Sequence, residues 1–544
     1  METLGLDIIG RTPRGEVEIY SEKHGESFLR AVSRLTMEDL QQICGPVGRE
    51  RIHTARDEVP GQFHLSQVKA AIGLMSGFEK SRRKIGQGCW AGIDANRRPD
   101  GSIVLVGEGE GARWDGSKLE KITRPRVGGH VLDLHATIGW YDFDRLQKHL
   151  ADYSQSHSSQ AIDEAGDLFA KWFWIQDNVA PMLLTGLVMA SWVQTLWSWR
   201  PLVSVIGPSD CGKSTLFETL ESLFGDLSLL SSKSTEAGIR QAIRNTARIA
   251  LCDEFESDNH RKKILELFRT ASKGSKTLRG TVNQEGQEYG LRHIPWVTAV
   301  ELHLAREPDR NRFIGLDLKR PPGAKRGALL LPSVPELENL GQRLLAIAIH
   351  NIGEARKMAA WLTSKRFEGI HGRLVESFAV PVAMLAVATG ADNQKAVELL
   401  AHLLDGVATD QQTERDEVQL MADILESTIQ LGRGETATVA QILSQADHGG
   451  WDALEQAGIA AVSSRLGRRS DVGERDGIFL AYDAVKRFLL QRTQWADQSI
   501  PQLLGRLPTA KKVQCRIAGR RPYGILIERK YIDKQFLDDE TRDF

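Results

Sequence analysis

The run Gly207-Pro208-Ser209-Asp210-Cys211-Gly212-Lys213-Ser214-Thr215 has the residue types and spacing of a loop that holds phosphate. The apolar stretch Pro201–Ile206 precedes it and a helix-like stretch, Leu216 to Leu223, follows. Strand, glycine-rich turn, Gly-Lys-Ser and helix form the context that such a loop requires. Backbone N–H groups of a turn of this kind face an anion, and the helix N-terminus adds partial positive charge. Lys213 is expected to reach the β- and γ-phosphates of ATP, and the Ser214 hydroxyl to ligate Mg²⁺.

A second pattern supplies the acids. Arg248-Ile249-Ala250-Leu251-Cys252-Asp253-Glu254 is an apolar strand that ends in two carboxylates. The first acid at such a strand end holds the Mg²⁺ shell, so Asp253 is the metal acid. The second orients and deprotonates an attacking water, so Glu254 is the base. Glu256 reads as a helix-cap or surface acid.

Farther on, Gly274 to Tyr289 has two polar arms around Asn283-Gln284-Glu285-Gly286, the pattern of a hairpin. Lys276 and Arg279 lie on its leading arm. A strand then runs from His293 to Glu301, followed by Arg306, Arg310 and Arg312. This order resembles AAA+ ATPases, and more closely the superfamily-three type helicase module of phage and plasmid primase–helicases. Ser234–Gln241 and Pro308-Asp309-Arg310-Asn311-Arg312 share the likeness, which spans about residues 86 to 535. The resemblance implies a ring, with Arg310 or Arg312 reaching a neighbour's γ-phosphate. It implies that Lys276 and Arg279 line a pore holding single-stranded DNA. It implies a polar sensor after the hairpin. Here the family's usual Asn is replaced by Thr298-Ala299-Val300-Glu301, and either Thr298 or Glu301 stands in.

These residues need a scaffold. A chain of 544 residues is too long for one core. The expected class is α/β: a phosphate-loop core of parallel sheet and flanking helices, a β-containing N-terminal region, a helical lid and a winged-helix-like C-terminal domain. The boundaries expected are 1–80 (mixed α and β), 81–135 (β-rich), 136–200 (helical), 201–322 (the ATPase core), 323–413 (helical) and 414–544 (basic, winged-helix-like). Helical patterns are expected near Phe28–Cys44 and Leu65–Phe78. Gly107–Gly111 reads as a hairpin turn, because no helix follows it. Val179 to Trp197 has no charge, but its Pro, Gly and polar residues predict a buried helix rather than a membrane span. The tryptophans around it, Trp172 and Trp174 among them, read as core.

Lys+Arg number 70 and Asp+Glu 71, so any surface for nucleic acid must be local. One candidate is Ala484–Asp533, with eleven Lys/Arg against three acids. Two helical patterns and a hairpin there suggest a winged helix, with Lys511, Lys512, Arg516, Arg520 and Arg521 as the phosphate-gripping set. Five cysteines without a CxxC pair exclude a zinc ribbon of the usual spacing and fit a reduced cytoplasm. No signal-peptide pattern opens the chain. The expectation is a Mg²⁺-dependent ATPase, a homo-hexameric DNA helicase or translocase served by a separate primase. Two alternatives stay open: an ATP-gated DNA-binding switch or loader, and an AAA+ protein remodeller or phage-defence ATPase.

Overall fold

The computed structural model describes residues 1–537 except 12–14, 25, 76–83, 135–138, 178, 233–234, 244, 256–257, 275, 281–285, 301, 303, 305–306, 321–328, 368–369, 412–415, 432–434, 445–449, 464–475, 492, 494 and 497. The chain divides into two compact units. The first takes in Met1–His303 and Asn311–Gln411, the second Leu304–Arg310 and Gln412–Phe544.

The first unit is built on a parallel five-stranded sheet. Its strands are β1 (Leu202–Ile206), β2 (Ser228–Ser231), β3 (Ile249–Cys252), β4 (Trp296–Ala299) and β5 (Phe313–Asp317), in the order β2-β3-β4-β1-β5. Sheets of this kind are covered on both faces, so their strands read as near-continuous apolar runs. Leu202, Val203, Ile249, Leu251, Trp296, Val297 and Ile314 are all fully buried. Helix α1 (Lys213–Phe224) follows β1 and buries Leu216, Phe217, Leu220, Leu223 and Phe224. The 30-residue helix α2 (Val334–Thr363) packs on α1. Ser333 and Glu336 cap its start reciprocally. A Cβ at Gly341 of α2 would overlap the Leu223 carbonyl oxygen, so only glycine permits this approach. The charge-free stretch forms a buried helix, Ala180–Trp192. Among the described residues no helix is long and apolar enough to cross a membrane.

One apolar core runs from Cys89 to Leu404, joining the four-stranded meander of Gly88–Ile122 to the helices and the parallel sheet. Gly107–Glu110 is a turn between antiparallel strands, Pro99–Val106 and Gly111–Trp114. The N-terminal residues close a separate core around Ile19, Leu40 and Ile72. One expectation needs correcting there. The first part of Phe28–Cys44 is not helical, because Glu26–Ala31 pairs antiparallel with Glu16–Ser21. The helix begins at Met37, where Thr36 and Asp39 make a capping box.

The second unit has its own core, which includes Leu420, Ile424, Leu480, Trp495 and Ile527. Its sheet is antiparallel, with β6 (Ile459–Val462), β7 (Gly477–Ala481), β8 (Lys511–Gln514) and β9 (Tyr523–Glu528) in the order β6-β7-β9-β8. Ile517 and Arg520 exchange backbone hydrogen bonds of 2.9 Å around Ala518 and Gly519. Both turn residues have positive φ, 46° and 75°. That backbone twist suits a two-residue hairpin turn.

Candidate functional site

Parallel strands deliver their C-terminal ends to one edge of a sheet, and side chains distant in sequence meet there. Residues 207–212 leave β1 and turn into α1 at that edge. The turn is tight. Asp210 and Gly212 both have positive φ, 64° and 90°, and no side chain caps Gly212 at the start of α1. Lys213 folds back so that its Nζ donates to the carbonyls of Gly207 (2.5 Å) and Pro208 (3.0 Å). Ser209 and Asp210 are exposed, Thr215 is half-buried, and Cys211 is buried. Burial pushes the Cys211 thiol pKa up, against the opposing effect of Lys213.

From α1, the Ser214 hydroxyl donates to Asp253 Oδ2 at 3.0 Å. The other carboxylate oxygen of Asp253 accepts the hydroxyl of Thr298, which lies fully buried in β4. The backbone N–H of Glu254 donates to Thr298 Oγ1 and to Asp253 Oδ1, both at 3.1 Å. Phe255 N donates to Thr298 O at 2.8 Å. Glu254 itself is exposed and has φ 54°. A non-glycine residue in that region costs about 1–3 kcal/mol and persists only where its surroundings impose it. Here the imposing group is one buried threonine on the neighbouring strand.

The donor set suits a hard divalent cation. Ser214 Oγ and Asp253 Oδ2 are both oxygens, close together and open on one side, as Mg²⁺ bound mostly by water and phosphate requires. Among the described residues no group of three or more His, Cys, Asp or Glu could form an all-protein metal cage.

Arg310 belongs to the second unit, where its Nη2 donates to Asp416 Oδ1 at 2.9 Å and its Nη1 to Leu304 O at 3.0 Å. Arg312 belongs to the first unit and is 9 % exposed; its carbonyl accepts from Leu202 N and Ser377 Oγ. Lys276 and Arg279 sit on the strand Lys276–Gly280, opposite Gly290 and Gln287 of its antiparallel partner. Their side chains, together with Ser234, Glu256, Glu301 and Arg306, lie outside the described residues. In the second unit Lys511, Lys512, Arg516, Arg520 and Arg521 are all exposed, beside Tyr523 at 69 %.

Two neighbours of the loop escaped the sequence reading. Trp172 Nε1 donates to Gly212 O at 2.9 Å, and Arg320 Nε reaches Ser209 O at 3.4 Å. Both come from segments that flank the sheet: Ile175 N bonds Asp317 O and Lys319 N bonds Phe173 O, each at 2.8 Å. No local motif marks them. The tryptophan density around residue 172 looks like any core.

No protein-family model and no curated protein matches the chain. Among solved structures it is similar to the A form apo structure of the NrS-1 C-terminal region, with TM-score 0.36 and 11 % identity over 97 % of both chains. It is also similar to a full-length MCM homolog from Methanopyrus kandleri, with TM-score 0.33 and 12 % identity over 60 % of this chain and 76 % of that one. At such TM-scores, function has to be read from the site's own chemistry.

Proposed function

We propose that this chain is a Mg²⁺-dependent ATPase of the AAA+ kind that assembles as a ring and moves along DNA. The observation that carries the reading is the 3.0 Å bond between Ser214 Oγ and Asp253 Oδ2, one residue along from Lys213 and one before Glu254. The Ser214 hydroxyl and the Asp253 carboxylate, from separate segments, meet beside a glycine-rich turn, with Lys213 and Glu254 next to them in sequence. That is the set needed to bind and hydrolyse a triphosphate.

Lys213 would exchange the Gly207 and Pro208 carbonyls for phosphate oxygens. Ser214 and Asp253 would hold Mg²⁺, which when bound neutralises charge on the phosphates. Glu254 would orient and deprotonate the attacking water. Thr298, tied to both acids, is the better sensor candidate because it fixes the carboxylate that must face the cation. Completion in trans by Arg310 would require it to leave Asp416 on assembly. Lys276 and Arg279 would grip single-strand phosphates in the ring, and the exposed basic set of the second unit would hold duplex or partner DNA.

The test is ATP turnover with and without single-stranded DNA, strand displacement, and mass in an ATP analogue. Turnover that DNA stimulates, with displacement, supports the reading. Stimulation without displacement turns it into a DNA-binding switch or loader. Indifference to DNA points to a protein remodeller. A chain that neither binds nor hydrolyses ATP ends it.

A further inference from the structure

The loop poses a question of hydrogen-bond accounting. If its N–H groups are to face phosphate, its carbonyls must turn away and find donors elsewhere. Lys213 now satisfies Gly207 and Pro208, and is the group that would leave on nucleotide binding. The Gly212 carbonyl accepts the first intrahelical bond of α1, from Leu216 N at 3.0 Å, and a second bond of a different kind, from the indole N–H of Trp172 at 2.9 Å.

Three further observations make this contact specific. Trp172 is 3 % exposed, so no water can readily replace it. A Cβ on Gly212 would lie 3.0 Å from Trp172 Nε1 and 3.2 Å from its Cδ1, so the indole edge rests directly on the peptide that starts α1. The segment carrying Trp172 is itself anchored, through Ile175 N to Asp317 at the end of β5 and through Phe173 O to Lys319 just beyond it.

We infer that Trp172 is a positioning residue for nucleotide binding: its indole N–H fixes the Gly212 peptide, and with it the amides at the start of α1 that would receive phosphate. The inference rests on the ATPase reading above. Trp172 touches no reacting atom. It acts through the loop, holding beforehand the conformation that the triphosphate needs, so that binding does not have to order it.

The experiment compares three proteins of full length. Trp172→Phe keeps a ring and removes the N–H. Trp140→Phe is the control, since Trp140 is also 3 % exposed and its Nε1 likewise donates to a backbone carbonyl, Val106 O at 2.7 Å. Binding of a fluorescent ATP analogue, KM, kcat and thermal melting are measured for each. Trp172→Phe should weaken nucleotide binding and raise KM by about tenfold while kcat falls less than about twofold. Trp140→Phe should melt lower to a similar degree with unchanged affinity. Equal affinity of Trp172→Phe and wild type, or an equal loss in Trp140→Phe, overturns the assignment. If Trp172→Phe does not fold, β-benzothienylalanine at position 172 keeps the bicyclic shape without the N–H, and the same tenfold loss is expected. Failure of the wild type itself to bind the analogue overturns the ATPase reading as well, and so separates the two.

Discussion

The two units assemble charged groups in opposite ways. In the first, five parallel strands end on one edge, and Ser214, Asp253 and Thr298, drawn from segments 39 to 84 residues apart, meet in one hydrogen-bonded group. In the second, antiparallel strands send successive connections to opposite ends, and Lys511, Lys512, Arg516, Arg520 and Arg521 stand out to solvent along one hairpin. The first arrangement concentrates directional chemistry on a few atoms. The second spreads positive charge over a surface, which suits a polyanion held by its phosphates and weakened by salt. The lesson is that topology decides whether charges converge, whatever their number in the sequence.

Removing the ammonium from the convergent site should have the largest effect. Lys213→Ala is expected to lower kcat/KM for ATP by about a thousandfold, as loss of a preorganised charge does elsewhere; a change under tenfold would place the chemistry outside this edge. Next comes the ion pair of the second unit's Arg310 with Asp416. Arg310 and Asp416 have side chains only 13 % and 6 % exposed, so Asp416→Ala strands a buried cation. A loss of about 3–5 kcal/mol is expected in denaturant unfolding. A loss below about 1 kcal/mol would mean that water reaches the pair.

Acid should strike the first unit through His293. This residue is fully buried, accepts from Arg292 N at 3.1 Å and bonds Thr246 O through Nε2 at 3.0 Å. Burial pushes its pKa down from 6.5 to about 4. Its neutral form is therefore favoured by folding. The stability is fully present above pH 6.5 and is lost as the pH falls from there through 4, by about 3 kcal/mol. His293→Gln should flatten that part of the melting profile, and an unchanged slope would assign it to other groups. The smallest effect is expected on the open surface. Arg520→Ala with Arg521→Ala should weaken DNA binding several-fold and reduce the salt slope by about two. An unaltered slope would remove the hairpin from the DNA surface.

Much of the first unit was legible along the chain. The strands β1 and β3 announce themselves as short apolar runs, and the Gly-Lys-Ser and Asp-Glu patterns follow them directly. Glu26–Ala31 was not legible as strand, since its place depends on pairing with Glu16–Ser21 rather than on its own residues. Thr298 stood out only as one of two polar candidates. Its hydroxyl meets Asp253 because β4 lies beside β3, while Glu301 lies outside the described residues. Arg310 and Arg312 were indistinguishable by spacing, yet one is held by Asp416 and the other is buried by the sheet.

What the sequence alone determined is local: which strand or helix the glycine-rich Gly-Lys-Ser run and the Asp-Glu pair follow. Those signals reside in neighbouring residues, because turns, caps and apolar periodicity act over a few positions. Only the tertiary structure decided that Trp172 braces Gly212, that Thr298 clamps the acids, and where each arginine is spent. Such contacts join positions tens to hundreds of residues apart, and only the packing of strands and helices determines which of the many possible partners meet.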